Sequence, residues 1–434
     1  MAMNYCIESY GKPAVAGEES WVGRIIDTVI SADEYFRLKD SIDYIGVTTR
    51  FKDVINTFRK DPYNTPAGFK RELTYSSDRV LRVDLVRDIS YDSNGVLRPT
   101  NVLFSADSAN PYEIAPMKGL IANLTCNPGI IYDLFINNPK ANVGNKFKNR
   151  DEVMVEIAEI LGPGVDISVE LNNPFEKDFN LLLEEAERFK EILSPYRVVI
   201  KVPHTGVVNA ANVNNLLVEN KKLAENFKYP ATEDAFASHN LCLKFKEHGY
   251  RINYTLMFEP YQTQLALQAK PYFINTFLRQ RLVQSETIHR YLSAYEATKD
   301  AAFLKNMRQY LYDIDYFNAS GLESDLLDVY REANALLAYR KFDNKEGLDG
   351  LDGMRHNLRC LKNCNLEDTR LIVCSMEGEN NYPDIDRLLC EPEFSALNKK
   401  VVITTEPGYF ARFTSTHQVV TYQRRFMNAA KGQA

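Results

Sequence analysis

The chain has 434 residues, 45% of them hydrophobic and 25% charged, the balance of an ordinary globular protein. Its net charge of −6 offers no basic face, so nucleic acid is excluded as an expected partner. No apolar run reaches the roughly 18 residues that span a bilayer, and the N-terminus lacks the charged and apolar regions of a signal peptide, so no membrane role is expected.

Residues 1–30 carry mixed signals. Helical patterns follow at 32–44 and 50–60. Residues 70–98 then alternate like strands (Val80, Leu81, Val83, Leu85, Val86) and include the turn signal Asp92-Ser93-Asn94-Gly95. Residues 1–98 read as an N-terminal extension without an assigned role. From residue 99 a rhythm begins, with strand-like runs at 101–107, 120–127, 165–171, 198–203, 251–258, 271–277, 370–376 and 400–405. Helical patterns lie between most of them. The clearest is 176–193, where Phe179, Leu182, Leu183, Ala186, Phe189 and Leu193 mark one apolar face; another is 151–161. Strands alternating with helices predict parallel βα units, and eight of them predict an α/β fold, a (β/α)8 TIM barrel over 99–434. An open doubly wound sheet is the other arrangement, but no Gly-rich phosphate fingerprint follows the first strand.

Two gaps exceed what a barrel needs. Residues 207–250 hold about one helix more than a crossover requires. Residues 278–369 hold several, one opening with the capping box Ser320-x-x-Glu323. Both read as helical insertions into the barrel domain. Tyrosine-rich and amphipathic, they suit a lid or a homo-oligomer interface.

Seven cysteines, an odd number, sit mostly within apolar segments such as Val373-Cys374 and Leu241-Cys242, which predicts reduced thiols in a cytoplasmic protein. No second His or Cys pair joins Cys360 and Cys364 to complete a zinc site, so they read as packing. Of the sequons beginning at Asn123, Asn253 and Asn318, two lie in predicted strands, so glycosylation is not their reason.

Barrel chemistry gathers at the C-terminal ends of the strands, where one parity of side chains points inward. The fourth strand ends on Lys201, ahead of Pro203 and Gly206. Burial lowers a lysine pKa, and a partly neutral amine can form a Schiff base with a carbonyl. A lysine snorkelling from the sheet edge is the alternative. Parity sets beside it Ser105 and Asp107, then Asn123, Thr125 and Asn127, then Asp166, Ser168 and Glu170, then Asn253 and Thr255. A purely structural barrel fills such positions with Val, Ile and Leu, although a hydrogen-bonded polar plug is also consistent. Lys118, Lys270, Lys399 and Lys400 precede their strands, at the wrong end. A lysine, carboxylates and neutral hydrogen-bonding groups suit Schiff-base carbon–carbon chemistry. His204, just past the key strand, reads as a solvated loop residue or a substrate contact.

The segments Ala106-Asp107-Ser108-Ala109-Asn110, Leu124-Thr125-Cys126-Asn127-Pro128-Gly129, Ser168-Val169-Glu170, Val199-Ile200-Lys201-Val202-Pro203 and Asn253-Tyr254-Thr255-Leu256-Met257-Phe258 resemble the successive motifs of the transaldolase family, along roughly residues 100–280. Gln262 stands where that family has a glutamine. The resemblance implies a class I mechanism without metal or cofactor, acting on a small sugar or sugar phosphate in carbohydrate metabolism, as in the pentose phosphate pathway. It implies that Lys201 forms the Schiff base, that Asp107 takes the proton as the carbon–carbon bond breaks, and that Glu170, through a water with Thr255, assists carbinolamine formation and dehydration. Asn127 and Asn253 would hold donor hydroxyls, supported by Thr125 and Ser168. Asn275, Phe277 and Ser375 complete the expected substrate pocket. Phe277 and Glu170 set the chain nearer transaldolases than the related fructose-6-phosphate aldolases, which resemble it less in having a tyrosine and no strand-3 glutamate there.

The phosphate end departs from the pattern. Where the family has Ser-Pro-Phe-x-Gly-Arg, this chain has Asn275-Thr276-Phe277-Leu278-Arg279-Gln280, and where it has Ser-Phe-Arg, this chain has Ser375-Met376-Glu377. The expected reading is a non-standard or unphosphorylated substrate, or phosphate bound by Arg279 or Arg281 instead. A Schiff-base aldolase or lyase without transfer, or a non-catalytic binding protein on the same barrel, stands as the alternative.

Overall fold

The computed structural model describes residues 4–58, 65–92, 95–218 and 220–433; the expected turn at Ser93-Asn94 and the last two residues of the expected helix 50–60 lie outside them. Strands β1 (Asn4–Cys6) and β2 (Val29–Ser31) pair antiparallel. Strands β3 (Tyr44–Val47) and β4 (Phe69–Tyr75) flank β5 (Val80–Arg87), parallel and antiparallel to it respectively. Ile25, Ile42, Phe51, Val54 and Leu81 form a core of their own beneath these strands. The expected helix over 32–44 ends at Leu38, and Tyr44–Val47 is a strand instead. Four residues carry too little periodicity to announce it, and its pairing partner β5 is remote in sequence.

Eight parallel strands then close a barrel: β6 (Leu103–Asp107), β7 (Ile121–Cys126), β8 (Asp166–Glu170), β9 (Val198–Pro203), β10 (Arg251–Thr255), β11 (Phe273–Phe277), β12 (Arg370–Cys374) and β13 (Val401–Thr405). This is the (β/α)8 architecture. Alternation divides their side chains. Ile167, Val169, Ile200, Val202, Ile252 and Tyr254 face the surrounding helices, while Leu103, Val199, Phe273, Ile372 and Val402 fill the barrel's lower interior. Helices Arg150–Leu161 and Phe179–Leu193 lie where the apolar periodicity sets them. Each is capped by its own sequence: Asn149 accepts from Glu152 N and Asp178 from Asn180 N.

The segment after β5 seals the N-terminal mouth of the barrel. Ile89 is fully buried within the interior cluster. Arg87 reaches Asp166 at 2.8 Å, Arg251 reaches the same carboxylate at 3.1 Å, and Arg370 on β12 pairs with Asp88 at 3.0 Å. Asp166 therefore belongs to this seal and not to a site at the other end.

Among the described residues of 207–250 there is one helix, Thr232–Glu247, which packs on β9 and β10 as an ordinary barrel helix, and the expected extra helix is not found there. Residues 207–218 and 220–231 run as loop because their asparagines bond nearby backbone. Asn212 donates to Val207 O at 2.7 Å, and Asn209 accepts from Ala211 N at 2.9 Å. In 278–369, helices Arg279–Thr298, Ala301–Asp313 and Leu326–Tyr339 share a separate apolar cluster, and Asp352–Lys362 returns to the barrel against β11 and β12. The capping box does not form. Ser320 gives its hydroxyl to Asn318 at 2.9 Å, and the helix starts later, where Asp325 accepts from Leu327 N at 2.8 Å. Among the described residues no helix is long and apolar enough to cross a membrane.

Candidate active site

The sheet register sets the centre of the site. Lys201 on β9 lies opposite Glu170 on β8 and opposite Asn253 on β10. Lys201 Nζ stands 3.1 Å from Glu170 Oε2 and donates to Cys126 O at 3.4 Å. Its side chain is 8% exposed, so it does not snorkel into solvent. Burial works against its charge, yet the carboxylates of Glu170 and Asp107 more than offset this and hold the amine's pKa above its ordinary value. Lys201 is therefore not the partly neutral amine that burial alone predicts: the free amine has to be made, by passing a proton to a neighbour.

Asp107 closes β6 beside Thr125 of β7. Its Oδ1 is sealed from solvent without a hydrogen-bond partner. Burial pushes its carboxyl up to about 6, with Glu406 and Glu170 adding to the effect and Lys201 opposing it. Two other interior atoms share this condition, Asn253 Nδ2 and Thr404 Oγ1, on residues each 1% exposed. Three unpaired polar atoms in one interior are costly unless a ligand completes them. Thr404 escaped the sequence reading because Val401-Val402-Ile403-Thr404-Thr405 looks like a packing strand.

The remaining expected residues divide by their bonds. Asn253 accepts from Asn275 Nδ2 at 2.7 Å, which fixes its amide with the unpaired NH2 turned free. Ser168 is fully buried and donates to Asn123 at 3.1 Å, which donates to Ser105 at 2.8 Å; this chain of bonds underlies the site. Asn127 caps the turn after β7 by accepting from Ile130 N at 2.9 Å, leaving its NH2 uncommitted. Thr125 and Thr255 are buried at the upper ends of β7 and β10. Gln262 braces the loop after β10, accepting from Glu259 N at 2.9 Å and donating to Leu256 O at 3.2 Å. Phe277 stacks on Phe258 with centroids 4.5 Å apart. His204 neither meets the site nor is solvated: it stacks on the outward-facing Tyr254 at 4.2 Å, and burial, with His239 adding, pushes it down to about 4.

The rim after β11, β12 and β13 is acidic. Ser375, at a left-handed φ of 54°, accepts from Arg279 N at 2.7 Å. The Arg279 guanidinium is clamped by Glu377 at 2.9 Å and Glu406 at 3.2 Å. Glu406 was invisible as a site residue because it follows an apolar strand in a region of faint resemblance. Arg281 faces elsewhere. It is 5% exposed and held by Asp352 at 2.8 Å and Glu259 at 2.7 Å, which raise its pKa further. Neither arginine offers phosphate a free guanidinium. Among the described residues no group of three or more His, Cys, Asp or Glu side chains could hold a metal ion.

A family profile described as Transaldolase/Fructose-6-phosphate aldolase matches residues 104–331, which span β6 through β11 and much of the following helices. No curated protein sequence matches the chain.

Proposed function

Because the chain belongs to the transaldolase/fructose-6-phosphate aldolase family, we propose that it transfers a dihydroxyacetone-type ketol unit between sugars through a Schiff base on Lys201. The observation that carries this reading is the buried Lys201–Glu170 pair beside an unpartnered Asp107. The Lys201 ammonium passes a proton to Glu170, and the freed amine adds to the donor carbonyl. Glu170, with a water held at Thr255, returns the proton to the carbinolamine oxygen, which leaves as water and gives the iminium. Asp107 takes the proton of the donor's adjacent hydroxyl as the carbon–carbon bond breaks, and the electron pair moves into the iminium to give an enamine. The product aldehyde departs, and the enamine adds to an acceptor aldehyde. Asp107 protonates the new alkoxide, and water hydrolyses the iminium. Asn127 and Asn253 hold donor hydroxyls. Asn275 orients Asn253, Thr125 and Ser168 support the pocket from beneath, and Thr404 adds a hydroxyl contact.

The substrate of this reading is unphosphorylated. Four carboxylates (Asp107, Glu170, Glu377 and Glu406) stand against two cations (Lys201 and Arg279), and a phosphate would meet an arginine already paired. Phe277 and Phe258 supply an apolar platform beside that rim. Borohydride reduction in the presence of dihydroxyacetone, followed by peptide mass spectrometry, tests the chemistry. The expected result is a reduced adduct on Lys201 that is absent from Lys201→Arg. An adduct on another lysine, or none with any ketose, overturns it in favour of a binding protein. Transfer is distinguished from simple aldol cleavage by whether turnover requires an acceptor aldehyde.

A further inference from the structure

The barrel mouth carries a charged receptor opposite Lys201. Round the closed barrel β13 lies four strands from β9, so Glu406, just past β13, stands across the mouth from the lysine. β6, which ends on Asp107, is the strand beside β13. A ketose joined to Lys201 through its carbonyl, with the hydroxyl of the breaking bond at Asp107, points the rest of its chain toward Glu406. Extended backbone at Glu406 (φ −65°, ψ 146°) carries the inward parity of Thr404 on to it. Past the left-handed Ser375, Glu377 reaches the same place, since Arg279 meets Glu377 at 2.9 Å and Glu406 at 3.2 Å. Burial is the main reason the Asp107 carboxyl is raised, but Glu406 adds to it and Arg279 opposes it, so rim and reacting groups share one pocket.

The charge of this receptor selects its ligand. Glu377 and Glu406 share the single guanidinium of Arg279, which a further bond to Met376 O at 3.1 Å holds in place. Two carboxylates against one cation leave one negative charge over. Their side chains are 44% and 51% exposed, so neither is closed to a ligand. The same barrel interior holds Thr404 Oγ1 and Asn253 Nδ2, unpartnered on residues 1% exposed, so the pocket awaits a ligand on its own evidence. A phosphate would add to the surplus negative charge, a neutral sugar would leave it, and a cation offsets it. Phe258 and Phe277, stacked at 4.5 Å beside this rim, add the aromatic faces to which a cation is also drawn.

We infer that the substrate is a sugar bearing an ammonium or quaternary ammonium group at the end remote from its carbonyl, held between Glu377 and Glu406. This substrate class rests on the Schiff-base reading of Lys201 and extends it to the far end of the chain. The bond that breaks lies between the dihydroxyacetone unit on Lys201 and the fragment at the rim. The released aldehyde therefore carries the cation, and an acceptor entering by the same path carries one too.

Borohydride trapping on the full chain tests it with three fructose derivatives that differ only in the terminal group: hydroxyl, phosphate or trimethylammonium. The concentration giving half-maximal Lys201 adduct is read by peptide mass spectrometry. Each value is divided by that for dihydroxyacetone, which has no far end, so a general loss of the site cannot mimic a loss of selectivity. The cationic ketose is expected to half-saturate at a concentration about tenfold lower than the neutral one, with the phosphate ester weakest. Glu377→Gln and Glu406→Gln should each narrow the gap between cationic and neutral ketoses, and Glu406→Lys should put the phosphate ester ahead of the cationic one. Circular dichroism checks that these half-exposed positions leave the fold intact. Equal values for the three ketoses, or a lead for the phosphate ester in the unaltered chain, overturn the inference while the Lys201 adduct stands. A cationic preference that survives all three substitutions also overturns it. The absence of any adduct, with dihydroxyacetone included, brings down the Schiff-base reading and the inference with it.

Discussion

Asp166 and Glu170 share one face of β8, about 13 Å apart along the strand. Each meets a buried cation, and their situations are opposite. Asp166 is fully buried between Arg87 and Arg251, two guanidinium groups whose charge cannot be removed. Glu170 meets one ammonium, opens partly to the barrel mouth and has a carboxyl neighbour with an unpaired oxygen. The first arrangement gives both carboxylate oxygens guanidinium donors and so holds structure. The second leaves a transferable proton and an incomplete set of bonds, which is what a reacting ligand requires. Inward parity alone does not separate them; the pairing of the carboxylate oxygens does.

Substituting both carboxylates is the strongest way to break this contrast. Glu170→Gln is expected to slow turnover by about 10² to 10⁴-fold, as for loss of a positioned acid–base group, with little change in melting temperature. Asp166→Asn should do the reverse. It strands Arg87 beside Arg251 at a cost of about 3–5 kcal/mol, read by urea unfolding, while the folded fraction still forms the Lys201 adduct. Equal loss of activity per folded molecule in both variants would erase the distinction.

Asp107 gives the next largest effect. Its carboxyl is held up at about 6 and must be ionised to accept a proton, so kcat/KM should fall about tenfold per pH unit below 6 and level off above it. The stability sign is opposite. A carboxyl with a raised folded pKa binds more protons folded than unfolded, so its ionisation subtracts stability as pH climbs from the ordinary carboxylate range through about 6. Asp107→Asn should therefore abolish the acidic limb while raising the melting temperature at neutral pH. A limb that persists in this variant assigns it to another group.

At the rim, Glu377→Gln combined with Glu406→Gln frees Arg279 and should shift selectivity about tenfold toward a phosphorylated ketose, measured as a ratio of kcat/KM values. An unchanged ratio removes these carboxylates from specificity. The smallest effect belongs to Thr404→Val, which deletes an unpaired buried hydroxyl. Melting temperature should hold or rise, while KM for the donor increases a few-fold. A loss of stability with unaltered KM would make Thr404 structural.

Much of this was legible in the chain. All eight barrel strands fell within the expected runs, because apolar outward residues such as Ile200 and Val202 alternate with inward ones such as Val199 and Lys201. What eluded the sequence depends on partners remote along it. Nothing in Leu278-Arg279-Gln280-Arg281 tells that one arginine is bound by Glu406 and the other by Asp352. Nor does local sequence reveal that β3 forms by pairing with β5, or that Asp166 waits on Arg87. The lysine pKa went the wrong way for the same reason: burial is visible in an apolar strand, whereas the two carboxylates that outweigh it come from other strands.

The seal at the N-terminal mouth also fixes when folding can finish. Arg87 leaves the ribosome 79 residues ahead of Asp166, and Asp88 leaves it 282 residues ahead of Arg370. Most of the polypeptide must be synthesised before those early charges meet their partners. Such long sequence separations make closure of the barrel floor a late and slow event, with the floor's own residues among the first to be made.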